Sequence, residues 1–128
     1  MQTILIDTDI AIDFLRGKNF AKELIIPLWE NHSAYLSLLS VYELYAGMLD
    51  KELAATKSFI GACQIEILNF EICQLGGGFY RDYRKQGITL TSVDCLIYAT
   101  AKVRHHLIAS RNIRHYPDKE ILFTLGSQ

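Results

Sequence analysis

Short apolar runs alternate with longer amphipathic stretches along this chain, and that alternation carries the first prediction. Thr3–Ile4–Leu5–Ile6–Asp7 reads as a short buried strand ending on a carboxylate. Thr8 or Asp9 then caps a helix whose apolar face holds Ile10, Phe14 and Leu15, and Gly17 stops it. A second helix follows from roughly Phe20 to Asn31, with Leu24, Ile25, Leu28 and Trp29 as its stripe. Ala34 to Leu38 reads as a second strand. Ser40 caps a helix carrying Val41, Leu44, Tyr45 and Met48, and another helical segment runs from about Glu52 to Cys63. Ile65, Ile67 and Leu68 suggest a third strand. Glu71 to Lys85 has a helical pattern, although Gly76–Gly77–Gly78 is a costly insertion there. Thr91 or Ser92 starts the helix holding Asp94, Ile97, Tyr98 and Ala101. Leu107 to Ala109 is a fourth strand, Ser110 to His115 a polar loop, and Ile121 to Phe123 adds a fifth strand.

No strand pair is joined by a two-residue turn, and the first three strands are each followed by helical pattern. That rhythm predicts an α/β fold: a mostly parallel sheet of about five strands with helices on both faces, in three α/β/α layers. The 128 residues are 50% hydrophobic and 21% charged, which suits a single folded domain over 1–128 and excludes a disordered chain. No apolar run approaches the roughly 20 residues of a membrane span. Met1–Gln2–Thr3 does not begin a basic and then apolar secretory leader. Cys63, Cys73 and Cys95 are odd in number and form no C-x-x-C pair, so neither a disulfide framework nor a zinc site is expected. They read as small buried hydrophobes in a reducing cytoplasm.

Charge changes the picture locally. The net charge of −1 supplies no global field for nucleic acid. From Arg81 to Lys119, however, Arg81, Arg84, Lys85, Lys102, Arg104, Arg111, Arg114 and Lys119 face only Asp82, Asp94 and Asp118. With Arg16, Lys18 and His115, this region offers candidate RNA-phosphate contacts, chiefly Arg16, Arg84, Lys85, Arg111, Arg114 and His115. A solvated helix face explains any one of them equally simply. Tyr35, Tyr42, Tyr45 and Tyr98 are candidates for an interface or for the core.

The chemistry is suggested by the acids. In open parallel sheets, sites form at the carboxyl ends of strands. Asp7 ends the first strand, and Glu43 lies near the start of the helix after the second. Asp94 starts the helix leading into the fourth strand, and Ser110 and Asn112 follow that strand. Clustered carboxylates repel unless a cation compensates, and oxygen donors without Cys or His favour Mg2+ or Mn2+ over zinc. Such a site suggests metal-assisted attack of water on a phosphodiester. Each acid also has a plainer reading. Asp7 can cap a helix, Ser40-x-x-Glu43 and Thr91-x-x-Asp94 both read as capping boxes, and Asp9 suits a first turn. Asp13 reads as solvated.

Four segments in order carry a family resemblance: ILIDTDIAIDFLRG from Ile4, SVYELYAG from Ser40, TSVDCLIYATA from Thr91 and IASRNIRHYP from Ile108. The chain resembles PIN-domain proteins, specifically the VapC-like toxins of bacterial type II toxin–antitoxin pairs. The resemblance implies a Mg2+- or Mn2+-dependent endoribonuclease that inhibits translation and growth, with Asp7, Glu43 and Asp94 as metal-binding and catalytic acids. Asn112 falls where many members carry a fourth acid, and Thr8 and Ser110 are assisting candidates. The resemblance also implies products with 5′-phosphate and 3′-hydroxyl ends, a homodimer, and a VapB-like antitoxin whose C-terminal segment blocks the cleft. Two rivals remain at this point. Asp7-Thr8-Asp9 resembles the nucleophile and acid/base pair of haloacid-dehalogenase-type phosphatases, although the paired acids that chemistry needs downstream are not found. A catalytically weak PIN-type binding module is favoured only by Asn112.

Overall fold

Three consecutive aliphatics, Ile4–Ile6, form strand β1, and all three are buried because this strand runs between two helical layers. The computed structural model describes residues 2–113, 116 and 118–123, so the candidates Arg114 and His115 lie outside the described residues. Helices α1 (Thr8–Leu15) and α2 (Asn19–Glu30) lead to β2 (Ala34–Ser37). Next come α3 (Leu38–Gly47), a 3-10 turn (Asp50–Glu52), α4 (Leu53–Gly61) and β3 (Gln64–Glu66). Then α5 (Phe70–Lys85), α6 (Ser92–Arg104), β4 (Leu107–Ala109) and a second 3-10 turn (Lys119–Ile121) complete the order.

The sheet order is β3-β2-β1-β4, and every pairing is parallel. Ile4 aligns with Ala34 and Leu107, and Ile6 with Leu36 and Ala109. Alternate strand residues therefore supply two cores. Ile4, Ile6 and Leu36 meet Ile10, Ala11, Ile25 and Phe59 from α1, α2 and α4. Leu5 and Ile108 meet Tyr83, Ile97, Tyr98 and Ala101 from α5 and α6. This is the expected α/β/α layering. No helix among the described residues is long and apolar enough to cross a membrane.

Several boundaries differ from the sequence reading. The sheet among the described residues has four strands rather than about five. Asp118 accepts the Glu120 N–H at 3.1 Å, which curls the chain into a 3-10 turn where a fifth strand would start. Only a single bridge, Leu122 to Ile108, and the Phe123 N–H bond to the Ile108 carbonyl at 2.8 Å remain of it. The third strand ends early, at Glu66, whose side chain turns in to Arg104 and His106. Helix α3 is capped by Ser37, which accepts the Leu39 N–H at 3.1 Å, and not by Ser40.

The glycine run does not break α5. A Cβ on Gly76 would meet Leu96 Cδ2 at 2.9 Å, so this glycine lets α5 lie close on α6, while Gly77 and Gly78 face open space. Tyr98 belongs to the core, whereas Tyr42 is exposed on α3. Cys63 and Cys95 are buried as expected, but Cys73 is exposed.

Because all strands are parallel, the chain segments leaving β1, β2 and β4 emerge at one edge of the sheet. Helix α6 runs back from that edge to feed β4, so its N-terminus stands there too.

Candidate active site

At this edge one cleft is lined by Asp7, Thr8, Asp9, Glu43, Thr91, Asp94, Arg111 and Asn112, with Ile12 as its apolar floor. The three acids singled out by sequence thus converge from three distant segments, and Asn112 stands with them. Ser110 sits just behind the cleft and donates to Asp7 Oδ2 at 2.7 Å.

Asp7 is the most buried of the acids lining the cleft, only 5% exposed. Its Oδ1 accepts the Thr8 N–H at 2.9 Å, so the N-cap reading of this residue holds alongside any site role. Tyr116, fully buried, also donates to Asp7 Oδ2, at 3.2 Å. Burial, then the neighbouring Asp9, push the Asp7 carboxyl up to about 7, with Asp94 adding to the rise and the Ser110 and Thr8 bonds opposing it. The Tyr116 hydroxyl is pushed upward by burial and by the charge of Asp7, so it stays protonated and able to donate.

Glu43 is not in a capping box. With α3 starting at Leu38, this residue lies in the second turn and Ser40 is buried beside it. Thr8 Oγ1 donates to Glu43 Oε1 at 2.6 Å and lies 2.8 Å from Ser40 Oγ. A hydroxyl has one proton to give, so the carboxylate takes it and Ser40 completes the chain. Asp94, by contrast, does sit in the capping box read from sequence. Thr91 Oγ1 accepts the Asp94 N–H at 3.1 Å, and the Thr91 N–H donates to Asp94 Oδ2 at 3.2 Å. That exchange fixes the carboxylate while using one of its two oxygens.

Asp9 lies in the first turn of α1, as its sequence reading has it, and also serves the site; Asp13 departs from its reading. Asp9 grips the loop after β4: its Oδ2 accepts the Arg111 N–H at 2.9 Å and faces Ser110 Oγ at 3.5 Å. Among the described residues its Oδ1, like Asp13 Oδ1, is buried without a hydrogen-bond partner. Burial raises the Asp9 carboxyl above the usual carboxylate range, opposed by the Arg111 N–H and then its charge. Asp13, expected in solvent, has a 0% exposed side chain. It accepts Arg111 Nε at 2.7 Å and lies 3.4 Å from Lys18 Nζ. Asp13 and Tyr116 are the site-associated residues that sequence reading missed. Their partners, Arg111 and Asp7, are separated from them by 98 and 109 positions, and no local pattern marks either.

The remaining basic candidates are spread out. Arg16 lines a neighbouring, more apolar groove with Ile12, Leu15, Leu44 and Met48, and Glu43 separates this groove from the cleft. Arg84 lies in the last turn of α5 with its Nη1 2.8 Å from the Tyr80 hydroxyl, and Lys85 follows it; neither lines the cleft. Lys102 pairs with Asp118 at 2.8 Å, and Arg104 with Glu66 at 2.7 Å.

The donor set fits a hard divalent cation. It is all oxygen, it carries among the described residues one orphaned buried carboxylate oxygen at Asp9, and burial and the neighbouring acids raise the Asp7 carboxyl, a penalty that a cation would relieve. Among the described residues no three His, Cys, Asp or Glu side chains stand close enough to enclose an ion unaided.

A sequence model of the PIN domain matches residues 4–116. The chain is 39% identical over 114 residues to "Ribonuclease VapC19" of Mycobacterium tuberculosis, covering 88% of this chain and 91% of that protein. Among solved structures it is similar to a toxin–antitoxin complex from Klebsiella pneumoniae, with a TM-score of 0.77 at 22% identity over 95% of this chain and 97% of that one. It is also similar to DNA-bound VapBC from Salmonella typhimurium, with a TM-score of 0.79 at 17% identity over 95% and 96% of the two chains.

Proposed function

We propose, from the premise that the chain belongs to the PIN-domain family, that it is the ribonuclease toxin of a type II toxin–antitoxin pair and cuts RNA phosphodiester bonds with the help of a divalent ion. The observation that carries the reading is the meeting of Asp7, Glu43 and Asp94 in one cleft of a PIN-type chain. On this reading residues 1–128 act as one nuclease domain, these acids hold Mg2+ or Mn2+, and Asn112 and Ser110 assist through oxygen and hydrogen bonding. When bound, the ion supplies positive charge for the phosphate oxygens and lowers the pKa of water.

The chain's own groups do the positioning. Ser110 and Tyr116 aim their protons at Asp7 Oδ2, which leaves Oδ1 on the Thr8 side of the cleft. Thr8 fixes Glu43, and Thr91 fixes Asp94. Such bonds to ligating carboxylates hold their orientation before substrate arrives. Loss of the Asp7 proton readies the site, because a neutral carboxyl neither attracts a cation nor accepts a proton.

RNA is the substrate class, and its choice rests on the cleft loops and on RNA shape. The partner is an antitoxin. The groove of Ile12, Leu15, Leu44 and Met48 beside Glu43 suits the apolar side of a segment whose next residues would reach the acids. A homodimer in the cytoplasm completes the proposal, with exposed Tyr42 and Tyr45 on α3 as interface candidates.

The test uses purified protein freed of antitoxin, structured RNAs and Mg2+, with and without chelator. Cleavage is expected only with metal and is lost in Asp94→Asn. Hydrolysis of a small phosphomonoester without RNA cleavage would instead support a phosphatase using Asp7 and Asp9 and would overturn the proposal.

A further inference from the structure

Arg111 stands beside four acids yet bonds to none of those lining the cleft through its side chain. Its guanidinium Nε donates to Asp13 Oδ2 at 2.7 Å, and its backbone N–H donates to Asp9 Oδ2 at 2.9 Å. Asp13 is four residues beyond Asp9, one helical turn along the same face of α1, so the two acids grip the loop after β4 at two points. The Arg111 side chain is 54% exposed and lines the cleft, whereas that of Asp13 is wholly buried. Among the described residues, no hydrogen bond engages the Nη atoms of Arg111.

Burying a carboxylate costs several kcal/mol unless cations and hydrogen bonds offset it, and an exposed Asp–Arg pair would contribute about 0–1 kcal/mol instead. Global stability is therefore a poor reason for a buried acid at this position. Position is a better one. A guanidinium on a loop next to Asp7, Asp9, Glu43 and Asp94 is drawn to the nearest carboxylates, where it would fill the cation's place. A deeper acid on the other side holds it back. With Nε occupied, the planar fork presents both Nη groups outward, which is the geometry that takes two phosphate oxygens at once.

We infer that Asp13 is a positioning residue: it tethers Arg111 at the lip of the cleft as the anchor for a substrate phosphate and keeps it out of the acidic centre. The inference rests on the nuclease reading for its substrate class, and on the geometry above for its content. Lys18 Nζ, half-exposed and 3.4 Å from Asp13 Oδ1, adds positive charge beside that oxygen without lining the cleft.

The test measures binding of a fluorescein-labelled, single-stranded 20-nucleotide RNA of mixed sequence in Mg2+ buffer. An Asp94→Asn background prevents cutting. Asp13→Asn is expected to weaken binding about tenfold and to reduce the slope of log K against log salt by about 0.7, the signature of one lost single-strand phosphate contact. Arg111→Lys keeps the charge but cannot hold Asp13 and a phosphate together, so it is expected to lose as much. Arg111→Gln combined with Asp13→Asn is expected to bind no worse than Arg111→Gln alone. In the cleaving protein the same changes raise KM and leave kcat within about threefold, and Asp13→Asn also raises the Mg2+ needed for half-maximal rate.

Parent-like binding by Asp13→Asn or by Arg111→Lys, or additive losses in the double variant, would overturn the tether. Arg111→Lys, at an exposed side chain, decides the matter alone if Asp13→Asn does not fold. Failure of the unmutated protein to cut RNA would overturn the nuclease reading and leave the binding comparison standing.

Discussion

Replacing Asp7 by Asn is expected to make the metal-free protein more stable while abolishing its activity. The Asn carbonyl can keep the Thr8 N–H bond, but its amide takes away the acceptor of the Ser110 and Tyr116 hydroxyls, a fixed cost that offsets part of the gain from removing the charge and does not vary with pH. Burial pushes the folded carboxyl from the ordinary 3.8 up to about 7, which on a buried group corresponds to about 4 kcal/mol. The sign follows from proton binding. Below about pH 4 Asp7 is protonated in both states and costs nothing. As pH rises, the unfolded chain releases its proton first, so this group's contribution to stability is lost progressively and is gone once the folded carboxyl ionises near 7. Urea unfolding in chelator, run from pH 4.5 to pH 8, measures this. The stability gap between Asp7→Asn and the parent should grow by about 3 kcal/mol from the acidic end to the other. Millimolar Mg2+ should then stabilise the parent at pH 8 and leave the variant unchanged. A gap that does not grow with pH, or equal stabilisation of both proteins by Mg2+, would refute the reasoning.

Five further substitutions separate site roles from packing. Thr8→Val removes the 2.6 Å bond to Glu43 at constant volume, and cleavage should fall about 10–100-fold with part of the loss recovered at high Mg2+, read from rate against metal concentration. Ser110→Ala removes the bond that holds the Asp7 carboxyl down, so the acidic limb of the kcat/KM profile should move to higher pH. Gly77→Ala and Gly78→Ala, facing open space in α5, should each stabilise the protein by about 0.5–1 kcal/mol. Gly76→Val, pressed on Leu96, should cost about 1–3 kcal/mol, with urea midpoints as the readout.

What the chain discloses in one dimension depends on the range of the forces involved. β1 and its terminal Asp7 are legible because a strand buried on both faces must be a continuous aliphatic run. The Thr91–Asp94 box is legible because both partners lie within one turn. Ser40 misleads because Ser37, three residues earlier, caps as well. Only the burial of Ser40 against Thr8, from a helix 32 positions away, decides between them. The fifth strand fails for a local reason, the Asp118 turn. Asp13 reads as solvated because the nearby Arg16 and Lys18 suit an exposed surface equally well, and its buried-side partner Arg111 arrives only when β4 pairs with β1. The glycine run reads as a defect until α6 is laid against it. Long-range pairing, then, is what separates the legible part of the site from the rest: the acids mark themselves, and the groups that orient them do not.

The chemistry of the cut ends tests the central claim most directly. If the cleft activates water against the phosphodiester, every product carries a 3′-hydroxyl and a 5′-phosphate, and products appear only with Mg2+ or Mn2+. Ligation and phosphatase-sensitivity assays on RNA cleaved by the purified protein read both ends. Products bearing 2′,3′-cyclic phosphate and 5′-hydroxyl ends, formed in the presence of chelator, would mean that the RNA's own 2′-hydroxyl is the nucleophile and would contradict the account.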